Sequence, residues 1–305
     1  MRFVVTGAAG FIGSHLTEAL LADGHDVHAV DCFTDYYDVA EKEANAAGFH
    51  VDRVDLADEP LVLTGIDGVY HLAGQPGARS FGEAFPLYVR RNVLATQKVF
   101  EACAEAGVRV VFASSSSVYG DAESYPTGED ARPRPLNPYG MTKLACEQLA
   151  YAYARSFGLD VITLRYFTVY GARQRPDMFF RRVVERLLDG DAFHVYGTGE
   201  QSRSFTYVGD VVAATRAAME RGVAGATYNV GGGSEASMTE AIALLEEISG
   251  RRLAVEHEPA VKGDMLRTNA DISKLVHDTG WRPGTELRDG LAAMWSWAAA
   301  KVAAE

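Results

Sequence analysis

Residues 2–13 read Arg2-Phe3-Val4-Val5-Thr6-Gly7-Ala8-Ala9-Gly10-Phe11-Ile12-Gly13, an apolar run followed by three glycines at equal spacing. Residues 2–6 are typical of a short buried strand and residues 11–23 have helical periodicity, so the glycines occupy a strand-to-helix turn. Glycine there permits a tight turn, close approach of the backbone to a pyrophosphate, and close packing of the helix on a sheet. The spacing is Gly-x-x-Gly-x-x-Gly, and such a turn alone suits a purely structural role equally well.

A second apolar strand, residues 26–30, ends at Asp31, 18 residues after Gly13. A carboxylate at this place accepts hydrogen bonds from the ribose of an adenosine and repels a 2′-phosphate, which favours NAD over NADP. Asp55 follows the strand-like residues 50–54 and is a candidate partner for the adenine amino group, although an aspartate that caps a loop explains it nearly as well.

Strand-like and helical segments alternate through the first half of the chain. Residues 68–73 and 108–113 are typical of strands, while residues 84–106 and 138–157 have helical periodicity. This βαβ alternation predicts an α/β fold built on a Rossmann-type, doubly wound parallel sheet. With 305 residues and 48% apolar content, the chain is large enough for one nucleotide-binding domain and a smaller α/β lobe.

Composition argues against several other classes of protein. The formal net charge of −12 disfavours bulk attraction to nucleic acid or to an acidic membrane. Cys32, Cys103 and Cys146 lack Cys-x-x-Cys spacing, and the eight histidines show no ligand spacing, so we expect neither a disulfide nor a metal site. No apolar stretch reaches the roughly 20 residues of a membrane helix and no secretion signal stands at the start, so we expect a cytoplasmic protein.

Tyr139 is the only one of the 14 tyrosines with a lysine, Lys143, four residues later. On a helix these two positions share one face, so the ammonium group lies beside the phenol and favours the phenolate form. Tyr139 is therefore a candidate general base for an alcohol proton. The spacing alone occurs by chance about once in a chain of this size, and it equally suits a surface pair.

Several motifs together resemble the extended short-chain dehydrogenase/reductases that act on nucleotide sugars. They are residues 6–13, Asp31, residues 71–74, Asn92, the serine run 114–117 before Val118-Tyr119-Gly120, and the Tyr139/Lys143 pair. The resemblance implies a tightly held NAD, with Tyr139 as base, Lys143 on the nicotinamide ribose and Ser115 bonded to the reacting hydroxyl. Asn92 would order a nearby loop or a water, unless it is an amide on a helix surface.

The resemblance also implies which residues surround the cofactor. The predicted set is Gly7, Gly10, Phe11, Ile12, Gly13, Asp31, Asp55, Leu56, Leu72, Ala73, Gly74, Asn92, Tyr139, Lys143 and Tyr166.

Two serines narrow the reaction. Enzymes of this type that eliminate water need an Asp-Glu pair just before Val-Tyr-Gly, and those that decarboxylate a uronic acid keep a Glu, whereas this chain has Ser116 and Ser117 there. A serine hydroxyl does not readily replace a carboxyl group in proton transfer near neutral pH. Redox-neutral epimerisation at C4 is favoured. By resemblance, the C4 hydride passes to NAD and returns to the other face of a transient 4-keto sugar.

Residues 166–178 suggest the sugar. This stretch is similar to that of UDP-glucuronate 4-epimerases, in which a threonine and an arginine at the places of Thr168 and Arg175 surround the sugar carboxylate; glucose/galactose epimerases usually have asparagine in place of Thr168. A buried carboxylate is costly without charge-assisted hydrogen bonds, which a guanidinium group supplies. Alternatively, Arg173 or Arg175 binds diphosphate or forms a surface ion pair, and the substrate is UDP-glucose.

Residues 195–208 resemble the uridine and diphosphate loop of the same family, and Arg203 and Arg267 are the candidates for the diphosphate. The family usually has aspartate at the places of Ser204 and Gly209. The predicted substrate set is Ser115, Ser116, Ser117, Thr168, Arg175, Val195, Gln201, Arg203 and Arg267, and which of the three serines bonds the C4 oxygen stays open.

The chain order suggests two interleaved domains. We expect residues 1–170 and 204–230 to form the NAD-binding domain, and residues 171–203 and 231–305, with helices near 237–249 and 285–301, to form the sugar-nucleotide lobe. The resemblance implies a homodimer through helices 84–106 and 138–157, although their apolar stripes equally suit packing on the sheet. A catalytically silent NAD-binding sensor is the other class considered. Such proteins usually lose the tyrosine or the lysine that this chain keeps.

Overall fold

The computed structural model describes residues 1–77, 82–259 and 267–304. Its strands are β1 (Arg2–Thr6), β2 (Asp26–Asp31), β3 (Val51–Arg53), β4 (Gly68–His71), β5 (Arg109–Ser115), β6 (Val161–Tyr166), β7 (Thr168–Tyr170), β8 (Phe193–Tyr196), β9 (Ser202–Tyr207), β10 (Thr227–Val230), β11 (Ser234–Ser237), β12 (Val255–Glu258) and β13 (Arg267–Thr268). Its helices are α1 (Phe11–Ala22), α2 (Val39–Asn45), α3 (Phe85–Tyr88), α4 (Ala95–Ala106), α5 (Pro138–Phe157), α6 (Phe179–Asp189), α7 (Val208–Arg221), α8 (Met238–Ser249), α9 (Ser273–Thr279) and α10 (Leu287–Ala304).

Seven parallel strands form the large sheet, in the order β10-β6-β5-β4-β1-β2-β3. From β1 the chain adds β2 and β3 on one side, then crosses back to add β4 on the other side, where Phe3 pairs with both Val27 and Gly68. A reversal of strand order of this kind opens a crevice at the carboxyl ends of the strands. The predicted Rossmann-type, doubly wound parallel sheet is confirmed.

Two apolar layers hold helices on the two faces of this sheet. On one face, Val5 and Ile162 of the sheet pack with Leu16 of α1 and Val211 of α7. On the other face, buried sheet residues such as Val110 pack with α4 and α5. The alternation of side chains along each strand explains why both faces are apolar, as expected for a parallel sheet covered by helices.

The apolar stripes of the helices near 84–106 and 138–157 divide between the sheet and the surface. Val99 and Phe100 of α4 are completely buried against the sheet. By contrast, Val89 between α3 and α4 is 39% exposed and Phe157 at the end of α5 is 68% exposed. The sheet therefore explains most of each stripe but leaves part of it uncovered.

A second, smaller set of strands lies beyond the large sheet. β9 is at its centre, antiparallel to β11 and parallel to β7 and β13, while β8 and β12 form a separate parallel pair. Helices α6, α8 and α10 share one apolar core with β8 and β9. Within the described residues, no helix combines the length and apolar character needed to cross a membrane.

The segment from Phe205 to Val230 divides between the two sets of strands. In the structure α7 packs on the large sheet and β10 joins its edge, but the first strand, β9, pairs with β7, β11 and β13 instead. The apolar pattern of β9 indicates a buried strand. It does not indicate which sheet the strand joins, because the neighbouring strands of either sheet would be equally apolar.

Candidate active site

The turn between β1 and α1 is packed too tightly for side chains at its glycines. A Cβ on Gly13 would lie 2.0 Å from the carbonyl oxygen of Gly7, and one on Gly7, whose φ is +72°, would lie 2.8 Å from the amide nitrogen of Ala73. Gly10 precedes α1 without a side-chain cap, and the first turn of α1 has no acidic residue. The free N–H groups and the positive end of the helix dipole therefore remain available for an anion such as a pyrophosphate.

A cleft of about 1180 Å³, open to solvent, lies at the carboxyl ends of the large-sheet strands. Most of the residues predicted to bind the cofactor line it, together with one residue predicted to bind the sugar. They are Gly7, Gly10, Phe11, Ile12, Gly13, Asp31, Asp55, Leu56, Leu72, Ala73, Gly74, Tyr139, Lys143, Tyr166 and Arg175. The fold thus brings the glycine turn, Asp31 and the Tyr139/Lys143 pair, which are far apart in sequence, to one surface.

Asp31 ends β2 at the rim of the cleft. Its two carboxylate oxygens accept hydrogen bonds from the backbone N–H groups of Phe33, at 2.8 Å, and Ala9, at 3.1 Å. Burial nevertheless raises the pKa of Asp31 above its ordinary value. Further donors, such as the hydroxyl groups of a ribose, would favour the charged carboxylate and fit this place.

Tyr139 and Lys143 lie in the first turns of α5. The helix begins where the Asn137 side chain accepts a hydrogen bond from the N–H of Gly140, at 2.8 Å, and Pro138 fits the first helical position. The Lys143 Nζ donates to the carbonyl oxygen of Ala113, at 2.8 Å, and lies 5.8 Å from the centre of the Tyr139 ring. Lys143 is almost completely buried, so its charge is held in a fixed position next to the tyrosine.

The serine run lies between two cavities. Ser114, at the end of β5, lines the large cleft, and its hydroxyl donates to Glu147 at 2.5 Å. Ser116 lines a second, much smaller cavity that is open to solvent, together with Tyr119, Tyr125 and Arg267. The predicted catalytic residue between them, Ser115, is nearly buried and accepts a hydrogen bond from the N–H of Ser117 at 3.1 Å. Neither Ser115 nor Ser117 is among the residues that line the large cleft.

Asn92 lies in a π-helical turn, Val89–Leu94, that joins α3 to α4. Its side-chain oxygen accepts from the N–H of Gln75 at 2.6 Å, and its amide nitrogen donates to the Gln75 carbonyl and to the Thr142 hydroxyl. Asn92 is buried, which rules out the alternative of an amide on a helix surface. It fastens the loop after Gly74 to α5, the helix that carries Tyr139. π-Helical turns are frequent at functional sites.

Arg175 lines the large cleft, whereas Arg173 forms an ion pair with another side chain of the protein. The guanidinium group of Arg175 makes two hydrogen bonds to the carboxylate of Asp177, at 2.9 and 3.0 Å. Burial acts to lower the pKa of Arg175, but the Asp177 carboxylate outweighs it and the pKa is raised. Arg173 has a φ of 62° and forms an ion pair with Glu18 of α1 at 2.8 Å. Thr168, in β7, is half-buried and does not line the cleft.

The residues predicted for the uridine and diphosphate lie apart from the large cleft. Val195 is buried in β8, and Gln201 donates to the carbonyl of Tyr196 at 2.9 Å. Arg203 is buried in β9 and donates to the Ser202 carbonyl at 2.8 Å. Arg267 makes two hydrogen bonds to Glu235, at 2.6 and 2.8 Å, and lines the second cavity. Residues 263–266, just before Arg267, lie outside the described part of the chain.

The cleft also contains polar residues that sequence reasoning missed. Lys42 of α2 donates to the carbonyl and hydroxyl groups of Thr34, at 2.5 and 2.9 Å, and lies 4.6 Å from the centre of the Tyr37 ring. Arg91, in the π-helical turn, donates to the Gln75 side chain at 2.8 Å. No spacing motif marks Lys42, Thr34 or Tyr37, and the available signal was their place in the segment that follows Asp31.

His71, at the end of β4, is held between two hydroxyl groups rather than exposed in the cleft. Its ring nitrogens lie 2.7 Å from the Thr6 hydroxyl and 3.0 Å from the Thr96 hydroxyl. Burial, assisted by the charge of Lys143, lowers the pKa of His71 to about 3. The ring is therefore neutral at physiological pH. In the described part of the chain, no group of three histidine, cysteine or acidic residues is placed to hold a metal ion.

A switch-point cleft with a tyrosine and a buried lysine at one side defines a dinucleotide-binding enzyme scaffold. The model of the NAD dependent epimerase/dehydratase family matches residues 3–231. The chain therefore belongs to this family, and the predicted family and its NAD cofactor are confirmed.

Several named relatives align with almost the whole chain. An uncharacterised UDP-glucose epimerase of Bacillus subtilis (strain 168), YtcB, is 41% identical over 303 residues, which are 95% of this chain and 96% of the relative. The crystal structure of UDP-glucuronic acid 4-epimerase from Bacillus cereus, in complex with UDP-glucuronic acid and NAD, is 39% identical with a TM-score of 0.95, covering 99% of this chain and 100% of that one. MoeE5 in complex with UDP-glucuronic acid and NAD is 44% identical with a TM-score of 0.89, covering 99% and 100%.

Proposed function

We propose that this protein is an NAD-dependent 4-epimerase that interconverts UDP-glucuronate and UDP-galacturonate. The observation that carries the proposal is the presence of Arg175 in the same cleft as Tyr139 and Lys143. A base for an alcohol and a cation for a carboxylate thus face one ligand. The Bacillus cereus structure, similar over 99% of this chain, contains UDP-glucuronic acid and NAD.

Two observations indicate that the cleft fits NAD. The glycine turn leaves no room for side chains, so backbone N–H groups can approach a pyrophosphate, and Asp31 presents a buried carboxylate to an adenosine ribose. When bound, NAD supplies the acceptor and later the donor of the C4 hydride, so the reaction has no net redox change. We assign the cofactor contacts to the predicted residues that line the cleft, and to Asn92 an indirect role through the loop at Gln75.

Tyr139 takes the proton of the C4 hydroxyl group and later returns it to the C4 oxygen on the opposite face of the sugar. Lys143 is fixed on the carbonyl of Ala113 beside this tyrosine, 5.8 Å from the centre of its ring. Ser115 accepts from the N–H of Ser117, which leaves its own O–H free among the described residues to donate to the C4 oxygen. The Ser114 hydroxyl, in contrast, is already used as a donor to Glu147.

A uronate adds a hazard, because its 4-keto form is a β-keto acid that readily loses carbon dioxide. Holding the carboxylate in place restrains that loss, and we assign this task to Arg175, Thr168 and the serines. Ser116 and Ser117 stand where related dehydratases and decarboxylases need carboxyl groups, so this chain lacks the acid for those reactions. Val195, Gln201, Arg203 and Arg267 remain the proposed uridine and diphosphate contacts.

The direct test is product analysis. The purified protein is incubated with UDP-glucuronate and the sugar protons are followed by NMR; we expect UDP-galacturonate to accumulate to equilibrium. UDP-xylose or a 4-keto pentose as the main product would contradict the proposal. The same incubation with UDP-glucose gives the comparison for the second candidate below.

A UDP-glucose 4-epimerase is the second candidate, and one observation favours it. The charge of Arg175 is already compensated by Asp177, so a sugar without a carboxylate would not leave an unpaired cation in the cleft. MoeE5 has also been solved in complex with UDP-glucose and NAD, and that chain is 43% identical with a TM-score of 0.89. A turnover of UDP-glucose above that of UDP-glucuronate would support this candidate.

The remaining expectations are part of the proposal. We place a homodimer contact on the helical residues 84–106 and 138–157, because they carry exposed apolar side chains, namely Val89, Leu94, Met141, Tyr151 and Phe157. A cytoplasmic location fits a nucleotide-sugar substrate. The division into an NAD-binding domain of residues 1–170 with 204–230 and a lobe of residues 171–203 with 231–305 is kept as part of the proposal.

A further inference from the structure

Asp177 occupies one edge of the Arg175 guanidinium group. Its two carboxylate oxygens accept from Nε at 2.9 Å and from Nη2 at 3.0 Å, and the second oxygen also accepts from the hydroxyl of Tyr36 at 3.2 Å. Tyr36 follows Asp31 in the loop between β2 and α2 and lines the same cleft. An internal carboxylate therefore holds Arg175 by the paired hydrogen bonds that a substrate carboxylate would otherwise make.

The opposite edge of the same guanidinium group remains open. Arginine has five N–H groups, and Asp177 uses one on Nε and one on Nη2. Among the described residues, none accepts a hydrogen bond from Nη1 or from the second N–H of Nη2. A sugar carboxylate can thus bind end-on to Arg175 without displacing Asp177. The sugar carboxylate and Asp177 would then lie on two different edges of the Arg175 guanidinium group.

This arrangement weakens the attraction between Arg175 and an acidic sugar. The Arg175–Asp177 pair is neutral as a unit, and the sugar carboxylate feels the negative charge of Asp177 across the guanidinium group. Arg175 is only 23% exposed at its side chain, so bulk water does not screen this repulsion completely. A free guanidinium group in the same place would bind the carboxylate more firmly, because a poorly solvated cation gains most from a new partner.

We propose that Asp177, held by Tyr36, is a specificity-determining residue that acts through Arg175. It compensates the charge of Arg175 enough that the carboxylate is recognised and yet the 4-keto ring can turn its other face to the cofactor. The inference rests on the proposed function, since it assumes a substrate with a carboxylate. Epimerisation requires the ring to move between two orientations, so a grip that is too firm in the first orientation slows the reaction.

The test compares an acidic with a neutral sugar on the NAD-loaded protein. Calorimetric titration with UDP-glucuronate and UDP-glucose gives dissociation constants for the wild type and for Asp177→Asn, which keeps the shape of the side chain and removes its charge. For the variant we expect UDP-glucuronate to bind about three- to tenfold more tightly, UDP-glucose to change less than about twofold, and kcat for UDP-glucuronate to fall by a similar factor to the gain in binding. Weaker binding of UDP-glucuronate, or an equal change for both sugars, would overturn the proposal.

Three further variants separate charge from folding. Asp177→Glu keeps the charge and should stay near the wild type; an Asp177→Glu protein that behaved like Asp177→Asn would contradict charge compensation. In an Arg175→Ala background, Asp177→Asn should have no effect, and a retained effect would show that Asp177 does not act through Arg175. Asp160→Asn is the matched control. Asp160 pairs with Arg109 and is exposed to a similar degree, 37% against 39%, but it precedes β6 at the opposite end of the sheet.

The two levels of the proposal fail in different ways. If the wild type binds UDP-glucuronate but does not epimerise it, the proposed function is wrong, while the affinities still decide the role of Asp177. If the wild type epimerises UDP-glucuronate and Asp177→Asn shifts both sugars alike, only the role of Asp177 is wrong.

Discussion

The proposed cofactor side of this protein, at the β1–α1 turn and Asp31, and its proposed sugar side, at Arg175 and Arg267, are built by different means. On the cofactor side, backbone geometry defines the site: Gly7 and Gly13 leave no room for a Cβ, and Asp31 is fixed by two backbone N–H groups. On the sugar side, long cationic side chains define it, and two of them have an internal carboxylate partner, Arg175 with Asp177 and Arg267 with Glu235. A backbone-defined site is complete before its ligand binds. The sugar side must exchange or share existing ion pairs.

The largest expected effect is at the junction of the two sides. Tyr139→Phe removes the proposed base, and we expect kcat for UDP-glucuronate to fall by about a thousandfold, because a positioned general base contributes of that order. The NAD content of the purified protein should not change. Initial rates and released-cofactor absorbance measure both quantities.

Tyr153→Phe is the matched control for that variant. Tyr153 is on the same helix, where its hydroxyl accepts a hydrogen bond from Gln97 at 2.7 Å, away from the cleft. A Tyr139→Phe protein with wild-type turnover would remove the catalytic role of the tyrosine and revive the NAD-binding sensor.

The next-largest expected effect is on the stability and NAD binding of the cofactor side alone. Gly13→Ala places a Cβ 2.0 Å from the Gly7 carbonyl oxygen, so the turn must shift. We expect a loss of about 3 kcal/mol in the free energy of unfolding, as for other overpacked sites, together with loss of bound NAD. Denaturant unfolding and cofactor content are the measurements. Gly48→Ala is the control, since a Cβ there would meet nothing within 4 Å, and equal losses in both variants would refute the steric argument.

A smaller effect, selective for the acidic sugar, is expected from a change on the sugar side. Arg175→Ala removes charge-assisted hydrogen bonds to a carboxylate, and we expect kcat/KM for UDP-glucuronate to fall by about thirtyfold while that for UDP-glucose changes less than about threefold. Arg186→Ala is the control, because Arg186 pairs with Asp191 on the surface of α6. Equal losses for both sugars would assign Arg175 to the diphosphate instead.

The same contrast explains how far the sequence predicted the molecule. Periodicity and glycine spacing predicted β1, α1, β2 and the cleft-lining turn, because local sequence determines local backbone conformation. They did not predict that Ser114 would line the large cleft while Ser116 lines another cavity, since that depends on how β5 ends against α5. Nor did they indicate Asp177 as the partner of Arg175. Side-chain partners depend on rotamers and neighbours from several elements, and no spacing rule encodes them.

The smallest expected effect is a change of folding stability with pH, to which the cofactor side and the sugar side contribute differently. Burial lowers the pKa of His71, beneath the cofactor side, to about 3 from an ordinary 6.5, so between these values the unfolded chain binds a proton that the folded one does not. Folding stability should therefore fall with decreasing pH through this window, by about 1.4 kcal/mol per pH unit. On the sugar side, Arg267 lowers the pKa of Glu235 to about 2, so its ion pair stays charged down to low pH.

His71→Gln isolates that contribution. The variant is expected to be less stable than the wild type at pH 7 because it disturbs the hydrogen bonds to Thr6 and Thr96, but its stability should fall about 2 kcal/mol less between pH 6.5 and 4.5. Denaturant unfolding at several pH values measures both slopes. His257→Gln, at an exposed position on β12, is the surface control for a histidine-to-glutamine change. An unchanged slope in His71→Gln would mean that acid weakens the protein through another group, and the buried cofactor side would no longer be its pH-sensitive part.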